Sequence, residues 1–143
     1  MKKKLVLIFS VFVTISGFSQ TIFGNWNSYD EETNKIESVI EVYEKDTKAF
    51  AKIISISDAN RSSATCVECS GKRKNAPILG MNILTGLKKD GNEWSGGKIL
   101  DPKNGKEYKC YIQLLDHNTL KLRGYIGLSM FGRTAIWKRA KKN

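Results

Sequence analysis

The chain has 143 residues, one domain by length, with 41% hydrophobic residues, a formal net charge of +10 and three cysteines. A chain of this size buries roughly two thirds of its unfolded surface, so it needs no metal or dense disulfide framework to hold a core. No stretch approaches the ~20 apolar residues of a membrane-spanning helix, which leaves no basis for an integral helical membrane protein.

The first residues read as a leader. Lys2-Lys3-Lys4 form a charged start, Leu5 to Ile15 an apolar run, and Gly17-Phe18-Ser19 a small-x-small cleavage site, the pattern of a secretory signal peptide over 1–19. The expected product is a single domain over 20–143, exported to the periplasm or secreted. The first cysteine is Cys66, so no lipid anchor is expected at the cleavage site. Loss of the three leader lysines lowers the charge from +10 by three, to +7. After export the acidic partners on offer are lipid head groups, cell-wall polymers and small anions rather than nucleic acid. The basic residues are mostly dispersed over strands and turns and read as a solvated surface; Lys72-Arg73-Lys74 and the tail Lys138 to Lys142 are the clusters through which an envelope surface could be contacted.

From Ile22 onward, short alternating runs separated by turn signals predict about eight strands. The first covers about Ile22 to Tyr29. The second, Lys35 to Glu44, places Ile36, Ser38, Ile40 and Val42 on one face and Glu37 and Glu41 on the other, which reads as solvated. Asp46 turns the chain into a third strand, Lys48 to Ser57. The irregular Asp58 to Pro77 follows, longer than a compact domain ordinarily spends on a connection. Ile78 to Lys88 and Glu93 to Leu100 flank the Asp90-Gly91 hairpin signal, and Asp101-Pro102-Lys103-Asn104-Gly105 is a second turn. Lys106 to Leu115 alternates most cleanly, with Tyr108, Cys110, Ile112 and Leu114 on one face. Asp116-His117-Asn118 leads into Thr119 to Ile126, and Gly127 to Met130 connects to the last strand, Phe131 to Arg139. Sequential strands joined by tight turns predict an all-β fold, a single antiparallel up-and-down barrel, in which closure removes exposed sheet edges.

Gly24-Asn25-Trp26 in the first strand and an arginine late in the last resemble the pattern of the calycin barrels: lipocalins, fatty-acid-binding proteins and avidins. That resemblance implies an arginine packed over Trp26 to close one end, with Arg133 and Arg139 both candidates. Ile78-Leu79-Gly80, Trp94-Ser95-Gly96-Gly97-Lys98-Ile99-Leu100-Asp101-Pro102, Gly105-Lys106-Glu107-Tyr108, Leu120 to Tyr125 and Gly132-Arg133-Thr134 with Trp137-Lys138-Arg139 further resemble an exported bacterial family known as domain of unknown function 2147. The family implies a fold and an envelope location, and supplies no activity.

Cys66-Val67-Glu68-Cys69 admits three chemistries. A small structural disulfide suits an oxidising compartment. A thioredoxin-like redox pair needs a helix N-terminus to lower a thiol pKa, whereas the flanking residues read as loop. A zinc site needs four ligands, and the remaining soft donors, Cys110 and His117, sit on an apolar strand face and at a turn tip. No metal, cofactor or catalytic constellation is therefore expected. Phe131, Arg133, Ala135, Trp137 and Arg139 share one face of the last strand. With Trp26 and Tyr108, the residues Arg133, Trp137 and Arg139 form the candidate site for a small apolar, amphipathic or anionic ligand, with Asp58 to Pro77 as a lid. Two other roles compete: a filled barrel acting as an interaction module, and thiol-redox work by Cys66 and Cys69.

Overall fold

The computed structural model describes residues 20–141, so the leader over 1–19 lies outside the described residues. Eight strands, β1 (Gly24–Tyr29), β2 (Ile36–Lys45), β3 (Lys48–Ile56), β4 (Asn82–Asp90), β5 (Glu93–Asp101), β6 (Lys106–Asp116), β7 (Thr119–Tyr125) and β8 (Gly132–Arg139), pair antiparallel in chain order. The sheet closes when β8 meets β1 through the pairs Trp26 with Arg139 and Asn27 with Lys138. The closed barrel is the antiparallel up-and-down architecture that the alternation implies: Ile40 and Val42 of β2, Cys110 and Ile112 of β6, and Leu120 and Leu122 of β7 are buried, while their sequence neighbours are more exposed. Each large apolar side chain taken from water this way contributes about 1.5–3 kcal/mol.

Strand direction gives the barrel two unlike poles. The short turns at Asp46-Thr47, Gly91-Asn92 and His117-Asn118 gather at one pole with residues 20–23, while the turn after β1, the long β3–β4 segment, the β5–β6 turn and the β7–β8 connector gather at the other. The first pole is packed solid around Trp26, Leu87, Ile112 and Leu120, all fully buried. Phe23 sits edge-on to Trp94 there, with ring centroids 5.4 Å apart.

Three boundaries differ from the alternation. β1 starts at Gly24 rather than Ile22, because Ile22 is a buried plug whose carbonyl accepts the Trp26 indole N–H at 2.8 Å. β4 starts at Asn82 rather than Ile78, because Ile78 to Met81 forms a turn in which Met81 N–H donates to Ile78 O and Gly80 takes φ +85°. β8 starts at Gly132 because Phe131 N–H is committed to Leu128 O inside the connector.

The segment between β3 and β4 is ordered by its own contacts. It holds two 3₁₀ turns, Ala59–Arg61 and Gly71–Arg73, and a bridge between Thr65 and Pro77. Cys66 and Cys69 are joined by a disulfide, and both are buried in a satellite cluster with Met81 and Leu100. This loop lies directly over the β5–β6 turn, where Gly105 has φ +70° and any Cβ would collide with the Glu68 carbonyl.

Candidate ligand-binding cavity

The closing arginine is Arg139. Its guanidinium carbon stands 4.2 Å from the Trp26 ring centroid, and its nitrogens donate to three carbonyls: Nε to His117 O at 2.6 Å, Nη2 to Thr21 O at 2.7 Å and Nη1 to Phe23 O at 3.2 Å. Burial pulls the Arg139 pKa downward. Gly24 makes room for it, with φ +122° and the position of a Cβ only 3.2 Å from Arg139 Nη1. Trp26 and Arg139 thus form the sealed pole, and neither borders the interior space.

That space lies toward the opposite pole. A cavity of about 590 Å³ is walled by Ile40, Ile53, Ile83, Ile99, Leu122 and Trp137. Two buried hydroxyls interrupt the apolar wall: Ser28 Oγ and Ser38 Oγ, on cross-strand partners of β1 and β2, are 2.6 Å apart. Ser28 Oγ also lies 3.3 Å from Ser38 O as a donor. Two hydroxyls bonded to each other keep a spare donor or acceptor, so this wall offers a polar handle inside an apolar chamber.

The mouth is charged. Glu37 Oε1 receives Lys103 Nζ at 2.8 Å and Arg61 Nη1 at 3.6 Å. Sequence alternation put Glu37 on a solvated outer face; instead it borders the cavity beneath the β3–β4 segment, which supplies Arg61 and Ala64 to the same rim. Arg133, inward by parity, stands at the mouth with its side chain 76% exposed and donates to Glu31 Oε1 at 2.9 Å. Asp30 Oδ1 accepts the Thr33 backbone N–H at 2.8 Å, the Thr33 hydroxyl and the Glu32 N–H, which hold its carboxyl below the ordinary carboxylate range. In all, five carboxylates (Asp30, Glu31, Glu32, Glu37, Asp101) meet three cations (Arg61, Lys103, Arg133) around the opening, a local excess of negative charge on a basic protein.

Of the candidate residues, Tyr108, Arg133 and Trp137 border the cavity, and Tyr108 Oη accepts from Asn104 Nδ2 at 3.0 Å at the rim. Ser28, Glu31 and Glu37 belong to the same surface; Ser38 shared the inward face of its strand by alternation, but Glu31 lies in a turn and carried no such signal. Both sulfurs of the Cys66–Cys69 disulfide are enclosed, leaving an attacking thiolate no approach of the kind redox pairs need. Burial pushes the Cys110 thiol up to about 12. Among the described residues no cluster of His, Cys, Asp and Glu is arranged to hold a metal ion.

Residues 24–139 match the family model described as "Uncharacterized protein conserved in bacteria (DUF2147)". No curated protein matches the chain. Among solved structures, protein HP1028 from the human pathogen Helicobacter pylori, described as belonging to the lipocalin family, is similar with a TM-score of 0.74, 22% sequence identity, and coverage of 85% of this chain and 84% of that one. At that identity the likeness is one of fold.

Proposed function

The chain belongs to the bacterial family DUF2147, and from the open-mouthed barrel of this member we propose that it binds a small apolar or amphipathic molecule in the cell envelope, without catalysing a reaction. The observation that carries this reading is the cavity of about 590 Å³ with its apolar wall, within the range of ~300–1,000 Å³ that holds small molecules. An eight-stranded barrel can be packed solid or hold one ligand, and a cavity of this size favours the second over a filled interaction module. The buried Cys66–Cys69 disulfide supports an oxidising, exported setting.

Charge narrows the ligand. Arg133 already has a carboxylate partner in Glu31, and the rim carries more acids than bases, so an anionic head group meets repulsion at the opening. The cavity suits a molecule with an apolar body, one neutral oxygen function at the Ser28–Ser38 pair, and an uncharged or cationic outer end.

Titration with the uncharged dye Nile red tests this. A saturable, one-to-one fluorescence increase is expected, and Leu122→Trp, which fills the chamber, should weaken it by at least about tenfold, the equivalent of ~1.4 kcal/mol. Wild-type protein that gives no saturable signal, or a Leu122→Trp variant that binds unchanged while folded, refutes the reading.

A further inference from the structure

The barrel does not close evenly. β8 pairs with β7 at every position from Gly132 to Lys138, but with β1 only at Lys138 and Arg139, beside the sealed pole. The β1–β2 register shifts between Ser28 and Tyr29, just past the last residue of β1 that meets β8, and a shift of this kind bends its strand and interrupts the ladder. Along β8 the backbone N–H groups alternate in direction. Arg139 N–H donates to Asn118 O on the β7 side and Ala140 N–H to Asn25 O on the β1 side, so Thr134 and Ile136 aim theirs toward β1. Among the described residues neither finds a strand partner there. The result is an unpaired edge inside an otherwise continuous sheet, where proteins ordinarily cover such edges.

The cavity reaches this gap from within. Ser28 and Tyr29 border it on the β1 bank, and Arg133, Thr134, Ala135 and Trp137 on the β8 bank. Strand parity turns Thr134 away from the buried Trp137, and its hydroxyl accepts Arg123 Nη1 on the outer surface at 2.9 Å. A cavity bordered by an outward residue extends between the strands as well as along the barrel axis. An ion pair spans the gap: Arg133 Nη2 donates to Glu31 Oε1 at 2.9 Å, with the two side chains 76% and 62% exposed. So exposed a pair contributes little stability, which makes it a releasable latch rather than a weld.

We propose that the cavity is entered sideways, between the unpaired stretches of β1 and β8, with the Glu31–Arg133 pair as the latch on that portal. Ser28, half of the buried hydroxyl pair, stands on the bank itself, so a ligand oxygen meets its polar partner on the way in. The competing path, straight down through the mouth, runs beneath the β3–β4 segment, where Glu37 ties Arg61 and Lys103 together across the rim at 3.6 and 2.8 Å. That a ligand passes rests on the ligand-binding reading above; the gap itself does not.

Two measurements test gap and passage separately. Amide hydrogen exchange followed by NMR, with no ligand added, should find Thr134 and Ile136 exchanging at least about tenfold faster than Ala135 and Trp137, whose N–H groups face β7. Equal protection means a zipped seam and overturns the portal whether or not a ligand binds. Stopped-flow mixing with Nile red then tests passage. In Glu31→Cys/Arg133→Cys a short bismaleimide straps the seam; Cys110 is buried and Cys66 is bonded to Cys69, so the introduced thiols are the ones that react. The strap should slow Nile red association at least about tenfold against the same variant unlinked, and a strap across the mouth in Arg61→Cys/Lys103→Cys should slow it far less. Binding at a rate that the seam strap leaves unchanged, or that the mouth strap slows equally, refutes the portal alone. Fast exchange at Thr134 and Ile136 in a wild-type protein that binds no Nile red refutes the ligand-binding reading and the portal with it.

Discussion

Arg139 and Trp26 show how much can rest on one pair. The guanidinium stacks on the indole and serves three carbonyls from two separate stretches of chain; a cation–π contact is worth about 1–2 kcal/mol when partly desolvated, and hydrogen bonds to a charged group about 1.5–3 kcal/mol each before the cost of ordering them. Arg139→Ala should lower stability by about 3 kcal/mol in urea unfolding, and Arg139→Lys should recover little of it, because a point charge cannot stack and fork at once. Strand parity put Arg133 and Arg139 on one face, and so could not say which of them meets Trp26. The choice depends on the β1–β8 register, which aligns Trp26 with Arg139 and is a property of the closed barrel rather than of any local pattern. Cys110 carries a different consequence. Its thiol, raised by burial to about 12 from an ordinary 9.0, stays protonated in the folded state while the unfolded chain ionises. The stability it contributes is thus complete below about pH 9 and is lost as pH climbs toward 12. Between pH 8 and 10.5, wild-type protein should lose about 2 kcal/mol more than Cys110→Ala, measured as the difference in urea unfolding free energies.

At the scale of elements, alternation made β2, β6 and β7 legible because one face of each is buried and the other wet. It failed where the chain leaves the sheet. Ile78 to Met81 looked like strand because it is apolar, but Ile78 and Met81 serve the cluster around the disulfide, Leu79 is exposed, and the backbone turns at Gly80. Nor did alternation reveal Glu37 at the cavity mouth, since its partners Arg61 and Lys103 arrive from two distant connections. The Cys66–Cys69 disulfide closes a very short loop, so the entropy it removes from the unfolded chain is small, about 2 kcal/mol by loop closure. Cys66→Ala/Cys69→Ala should therefore yield a folded barrel, less stable by roughly that amount in urea unfolding. If the variant fails to fold, the disulfide is instead a condition of folding, and the segment over the β5–β6 turn is more than a covering.

For the whole molecule, closed topology was readable from the number and spacing of runs, and the family match and structural likeness agree with it. The cavity was not readable. Whether eight strands enclose side chains or space depends on how residues from all of them meet, and the sequence offers Ile40, Ile53, Ile83 and Leu122 as equally good core or equally good chamber wall. The acid-rich mouth was hidden for the same reason, since Glu31 and Arg133 are 102 positions apart in sequence.

The two poles differ in one more respect. Ala140 N–H is bonded to Asn25 O and the Arg139 side chain to Thr21 O, so the described chain begins and finishes side by side at the sealed pole. Any extension from either terminus, whether a purification handle or a fused partner, hangs from the base of the vessel, leaving its opening unshadowed. The molecule is oriented like a cup held by its foot, and can be tethered there without being stoppered.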